Sequence, residues 1–160
     1  MMKIKIYCIG KLKEKYFVDA QKEYLKRLDR FAKLEIIELN DLPIPFNASA
    51  KEEEILKEKE FDLLLSKIDK SSYVIALDLD GKSYDSIEFS KKIDSLMNNS
   101  ITNISFVIGG SLGFSKRINE ISKDKLKLSN MTFTHQMTRI ILLEQVYRSF
   151  KISKNETYHK

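Results

Sequence analysis

Phe106-Val107-Ile108-Gly109-Gly110-Ser111-Leu112-Gly113 is an apolar run that passes straight into three glycines within five residues. Glycine lets a backbone adopt positive φ and approach a ligand closely. In open α/β sheets, ligands lie beyond the carboxyl ends of strands. The spacing G-G-x-x-G is not the G-x-G-x-x-G of a dinucleotide site, and no Lys-Ser/Thr pair follows as a P-loop requires. Alone, the loop therefore reads equally as one wall of a ligand site and as a tight strand-to-helix turn. Leu77-Asp78-Leu79-Asp80-Gly81 closes a second apolar run, which places Leu77 beside the glycine loop. Asp78 and Asp80 offer acid–base chemistry or, more commonly at a strand end, acceptors for nearby amides. Glu144 and Arg148 stand four apart in the order that favours a helical ion pair.

These residues must be positioned by alternating strands and helices. The apolar periodicities predict strands at 3–9, 33–39, 73–78 and 104–108, and a short last strand at 125–129. Helices are expected at 14–31, 50–68, from Ser86 to about Met97, and at 136–151, with a short helix capped by Ser115 and ending near Ser122. Ser49 and Glu52 have the spacing of a capping box. Asp80-Gly81 reads as a turn, and Asn40 to Ala50, with Pro43 and Pro45, as a loop longer than most connections. Tyr73–Asp78 is apolar throughout, the pattern of a strand covered on both faces of a parallel sheet. The class is therefore α/β with a mostly parallel sheet flanked by helices, folded as a single domain over 1–160. The final helix carries Met137, Ile140, Ile141, Leu143, Val146, Tyr147 and Phe150, more than one stripe, so burial against two surfaces is expected. A partner subunit is a candidate for the second.

Composition narrows the function. Apolar residues make up 42% and charged residues 32% of the chain, as in ordinary globular domains. No apolar run nears the ~20 residues of a membrane span, so no membrane association is expected and a cytoplasmic location follows. One cysteine, Cys8, and two histidines leave neither a disulfide nor a metal cluster to expect. Cys8 belongs on a strand, in the core, and His135 caps or packs at a helix start. Residues 114–160 hold 10 Lys/Arg against 4 Asp/Glu, whereas residues 1–113 hold 18 against 19. All the excess positive charge lies after the glycine loop, which suits a polyanionic partner as well as a solvated lysine-rich surface.

Taken together, F-V-I-G-G-S-x-G, L-S-x-M-T-F-x-H-Q-M, R-x-x-L-x-E-Q-x-Y-R and the terminal Y-H-K resemble the pseudouridine N3-methyltransferases of large-subunit (23S) ribosomal RNA, a minimal group of the SPOUT (α/β-knot) methyltransferases. The resemblance runs from K-I-x-I-x-x-I-G-K-L-K-E-K-Y at the start to the last residue. It implies a SPOUT-type fold with a C-terminal trefoil knot, a homodimer, and S-adenosylmethionine as cofactor. By position, it assigns cofactor contacts to Leu77, Gly109, Leu128, Ser129, Asn130, Met131, Thr132 and Phe133. It assigns the chemistry to His159, Arg148 and Tyr158: a base, a cation for an anionic imide, and a ring that orients the target. It turns the tail, which composition alone would read as a frayed end, into part of the site. The expected substrate is 23S rRNA within the ribosome or its large subunit. A related enzyme acting on transfer RNA and a non-catalytic ribosome-binding factor are the alternatives. Thr134 departs from the proline of the pattern, which predicts a looser loop before the last helix.

Overall fold

The computed structural model describes residues 1–160. Five strands form one sheet in the order β2-β1-β4-β3-β5, every neighbouring pair parallel. They are β1 (Met2–Ile9), β2 (Ala32–Leu39), β3 (Tyr73–Ser83), β4 (Asn103–Ile108) and β5 (Asp124–Lys127). The helices are α1 (Lys15–Leu28), α2 (Ala50–Lys67), α3 (Ser86–Asn98), α4 (Ile118–Ile121) and α5 (His135–Ser153). The expected α/β architecture is therefore present, and its sheet is entirely parallel.

Alternation along the strands sorts the core into two layers. Ile4, Ile6 and Cys8 of β1, Ile75 of β3, and Ile104, Phe106 and Ile108 of β4 face one cluster, shared with α1, α3 and α5. Tyr7, Ile9, Val74, Ala76 and Val107 face the other, shared with α2 and Ile118 of α4. Both faces are covered, which is why the central strands are apolar without a polar side. Cys8 is buried and its thiol is pushed up to about 11, chiefly by that burial, so it is an inert core residue as expected.

Several boundaries differ from the sequence reading. α1 ends at Leu28, and Phe31 instead stacks on Phe150 at 5.4 Å. Asp80-Gly81 does not end β3. The strand slips register so that both Leu77 and Lys82 pair with Leu126, and residues 78–81 bulge between them. A Cβ on Gly81 would stand 2.7 Å from the Lys125 backbone, so only glycine lets β5 pass here. Ser49 accepts from the Glu52 amide at 3.1 Å, but the full capping box is on α3, built by Asp85 and Glu88. Ser115 precedes α4 without capping it; its hydroxyl binds Glu58 and the Arg117 amide. Thr134 accepts from the Met137 amide at 3.2 Å and so caps α5, which tightens the loop where a looser one is expected from the sequence.

Much of the wide apolar surface of α5 is covered within the chain. The helix lies between α1 and α3 over β4. It buries Leu142, Leu143, Val146, Tyr147 and Phe150, and each such side chain contributes roughly 1.5–3 kcal/mol. Ser90 and Ser153 tie α3 to α5 through the Ser149 carbonyl and the Asp94 carboxylate. Met137, near the start of the helix, remains exposed.

Candidate active site

In a parallel sheet all carboxyl ends share one edge. Here that edge carries Gly10, the 40–49 loop, the bulge after Leu77, the glycine loop and residues 128–134. The glycine loop is closed by the Gly113 amide donating to the Gly110 carbonyl at 3.0 Å, with Gly113 at φ +82°. Leu77, half-buried, pairs with Ile108, the residue before Gly109. The strand-end placement read from the sequence therefore holds for these two. Asp78 accepts from the Asp80 amide at 3.0 Å and faces Lys125, so it serves local structure, the commoner use of a strand-end carboxylate.

Residues 128–133 follow β5 directly. Their path is shaped by the Ser129 hydroxyl, which accepts from the Met131 amide at 3.0 Å, and by Lys127 donating to Asn130 at 2.8 Å. Leu128 packs on the core, while Asn130 to Phe133 are exposed; Met131 is 75% exposed. Leu79 and Met137 add two more exposed apolar side chains. Exposed apolar side chains gathered at a strand-end edge are surface on which a ligand can pack.

The start of α5 is held to this edge by a buried cation. Arg139, 1% exposed, donates to Glu38 at 2.8 Å, to Gln21 at 3.2 Å and to the Gly10 carbonyl at 3.2 Å. Gln136 accepts from the Lys13 amide at 2.9 Å.

Farther along α5 a second group assembles. Glu144 grips Arg148 with two donors on one oxygen, at 2.6 and 3.1 Å. Gln145, itself bound by Ser86, donates to the other oxygen of Glu144 at 2.8 Å. After Ser153 the chain reverses through Asn155 in the left-handed region, a conformation asparagine tolerates. Glu156 then binds Lys151 and Arg30. The tail thus folds back along α5, nine residues from Ser153 to Glu144, or about 14 Å at 1.5 Å per residue.

There the Tyr158 hydroxyl donates to Glu144 at 3.1 Å, and its ring meets Tyr147 edge-on at 4.9 Å. Arg148 lies over the Tyr158 ring at 4.6 Å, a cation–π contact. Burial, and then Glu144, push the Tyr158 phenol up to about 12, so it stays a donor at neutral pH. His159 Nδ1 lies 3.2 Å from Arg148 Nη1. A guanidinium has no acceptor, so Nδ1 contributes the lone pair and the ring presents Nε2–H outward. The terminal residues are anchored, not frayed.

Arg148, Tyr158 and His159 are therefore brought together, with Glu144 as an organiser that sequence reading identifies only as an ion-pair partner. No hydrogen bond, ion pair or aromatic contact joins them to Leu77, Gly109 or residues 128–133 within the chain. No group of side chains has the composition of a metal site, and no helix is long and apolar enough to cross a membrane.

Comparison with known proteins places the chain in a family. Residues 2–159 match the family described as "Predicted SPOUT methyltransferase". Ribosomal RNA large subunit methyltransferase H of Clostridium beijerinckii is 53% identical over 159 residues, covering 99% of this chain and all of that protein. Ribosomal RNA large subunit methyltransferase H 1 of Clostridium perfringens is 55% identical over 161 residues, and the Ruminiclostridium cellulolyticum protein of the former name 48% over 159, both with the same coverage. With a family match over nearly every residue and full-length relatives near 50% identity, the chain belongs to the SPOUT methyltransferases.

Proposed function

We propose that this protein transfers a methyl group from S-adenosylmethionine to N3 of a pseudouridine in 23S ribosomal RNA, acting in the cytoplasm on ribosomal particles. The observation that carries the reading is the full-length likeness to relatives named for methylation of large-subunit ribosomal RNA. One small domain, basic in its last third, suits an assembled surface better than a short single strand as substrate.

The cofactor supplies an electrophilic methyl on a sulfonium. Leu77, Gly109 and residues 128–133 would hold it at the sheet edge, where Leu77, Leu128, Met131 and Phe133 offer apolar surface. With it bound, the target N3 would give up its imide proton to solvent water and accept the methyl, and the donor would leave as a neutral thioether. What the protein must provide is in-line placement and a stabilised imide anion. Arg148 suits the second of these, because Glu144 fixes its direction and its charge is permanent. His159 offers Nε2–H to a carbonyl of the base while its Nδ1 rests on Arg148. In this contact it acts as a donor, and it becomes a base only on leaving Arg148. Tyr158, with a phenol that does not ionise near neutrality, orients the target and does not deprotonate it.

The chain is read as a homodimer with the resemblance's knotted C-terminus. The lack of contact between the tail cluster and the cofactor loops in one chain supports a site completed across the dimer, one chain's tail meeting its partner's loops. Methyl transfer from labelled S-adenosylmethionine, tried on ribosomal particles, free 23S rRNA and transfer RNA, tests the proposal. Label at N3 of a 23S pseudouridine is expected, strongest on particles. Label only on transfer RNA, or cofactor binding without transfer to any RNA, would reject it.

A further inference from the structure

Beneath the glycine loop, on the α2 face of the sheet, lies a narrow cleft that Gly109 also lines. Its walls are apolar, with Ile9, Leu39, Phe61 and Phe114 among them, and the charged residues that line it are two, Lys57 and Glu60. Glu60 is 6% exposed, yet its carboxyl takes part in no side-chain hydrogen bond or ion pair. The neighbouring charges are already engaged: Lys57 with Glu54, and Glu58 with Ser115 and Arg117. Both Glu60 carboxyl oxygens stand 3.1 Å from where a Cβ on Gly110 would be. The carboxyl is thus pressed against the glycine-loop backbone, and a side chain at 110 would displace it.

A carboxyl placed this way is costly. Burial, and then Asp41, push it up to about 7, and an unpaired buried acid is a net penalty to folding. α2 already carries Glu52, Glu53, Glu54 and Glu58 in more exposed positions, so solubility does not require a further one in an apolar cleft. The penalty is relieved when a cation arrives. The methyl donor has three parts: an adenosine, a sulfonium and a zwitterionic amino-acid end. The edge around Leu77 and residues 128–133 has apolar surface for the first; of its carboxylates, Asp78 is held by Lys125 and Asp80 lies exposed on the bulge. The cleft on the other side of Gly109 has one acid and one base, three residues apart on a single helix face.

Building on the proposed use of S-adenosylmethionine, we propose that Glu60 accepts the ammonium of the cofactor's amino-acid end, with Lys57 leaving the exposed Glu54 to face its carboxylate. Glu60 is then a specificity residue for the cofactor. Ligand binding drives ionisation of Glu60 and releases its proton. The other titratable groups around it are Tyr7 from β1, Lys57 from α2 and Asp41 from the loop after β2.

The test compares S-adenosylhomocysteine with 5′-methylthioadenosine, which lacks the amino-acid end, by calorimetry on the intact protein and on Glu60→Gln. Glu60→Gln should weaken S-adenosylhomocysteine about tenfold or more and leave methylthioadenosine unchanged, which also shows that the variant is folded. Near pH 7, in buffers of different ionisation enthalpy, the first ligand should release a proton from the wild type and none from the variant. Equal weakening of both ligands, or no change in either, overturns the role of Glu60. Failure of both ligands to bind the wild type overturns the methyl-donor reading beneath it.

Discussion

The two halves of the proposed site are built in opposite ways. The cofactor edge is made of strand ends and loop backbone, with exposed Met131 and Phe133. The tail cluster is made of side chains: Glu144, Arg148, Tyr158 and His159 touch one another, and three charge-assisted or aromatic contacts fix the guanidinium. A parallel sheet supplies the first at little cost, because every strand delivers its carboxyl end to the same edge. The second needs a helix register, with Glu144 and Arg148 one turn apart, and a chain that returns to meet them. Backbone sites suit a cofactor of constant shape; a locked cation suits a charge that develops only during reaction.

If the halves are separable, changes in one should spare the other. Arg148→Ala should lower the methylation rate about 100-fold or more and leave S-adenosylhomocysteine affinity within about twofold; a parallel loss of affinity would merge the two regions. Glu60 belongs to the cofactor side and should show itself in stability. Its carboxyl titrates higher in the folded than in the unfolded chain, so the folded state binds the extra proton and stability falls as pH rises from about 4.5 through about 7. The penalty is at most about 3 kcal/mol, reduced by the solvent that still reaches the carboxyl. Denaturant unfolding between pH 5.5 and 8.5 should show the wild type losing stability relative to Glu60→Gln. Gly81→Ala forces a Cβ against the β5 backbone and should cost about 1–3 kcal/mol, read as a lower unfolding midpoint. Tyr158→Phe removes only the bond to Glu144 and should slow turnover about tenfold or less; no change would leave the hydroxyl without a part in aligning Arg148.

The same contrast decides what was legible in the sequence. The sheet and its carboxyl edge follow from apolar periodicity, and so does the adjacency of Leu77 and Gly109. The i, i+4 pair of Glu144 and Arg148 is also local and readable. β3 beyond Leu77 was not, because Asp78, Asp80 and Gly81 have turn composition. Only pairing with β5, distant in sequence, carries the strand on to Ser83. The fold-back of the tail depends on Arg30 and Lys151 holding Glu156, a contact no periodicity encodes. Glu60 is hidden for another reason: it ends the run Lys51 to Glu60, in which every residue but Ile55 and Leu56 is charged and reads as solvated. Only the cleft made by α2, β1 and the glycine loop sets it apart.

The separation of binding from chemistry is tested most directly by removing Tyr158, His159 and Lys160. Methyl transfer to ribosomal particles and S-adenosylhomocysteine calorimetry should be run on the same preparation. Turnover should fall at least about 100-fold with cofactor affinity unchanged. Undiminished turnover, or cofactor binding lost along with the tail, would contradict the account.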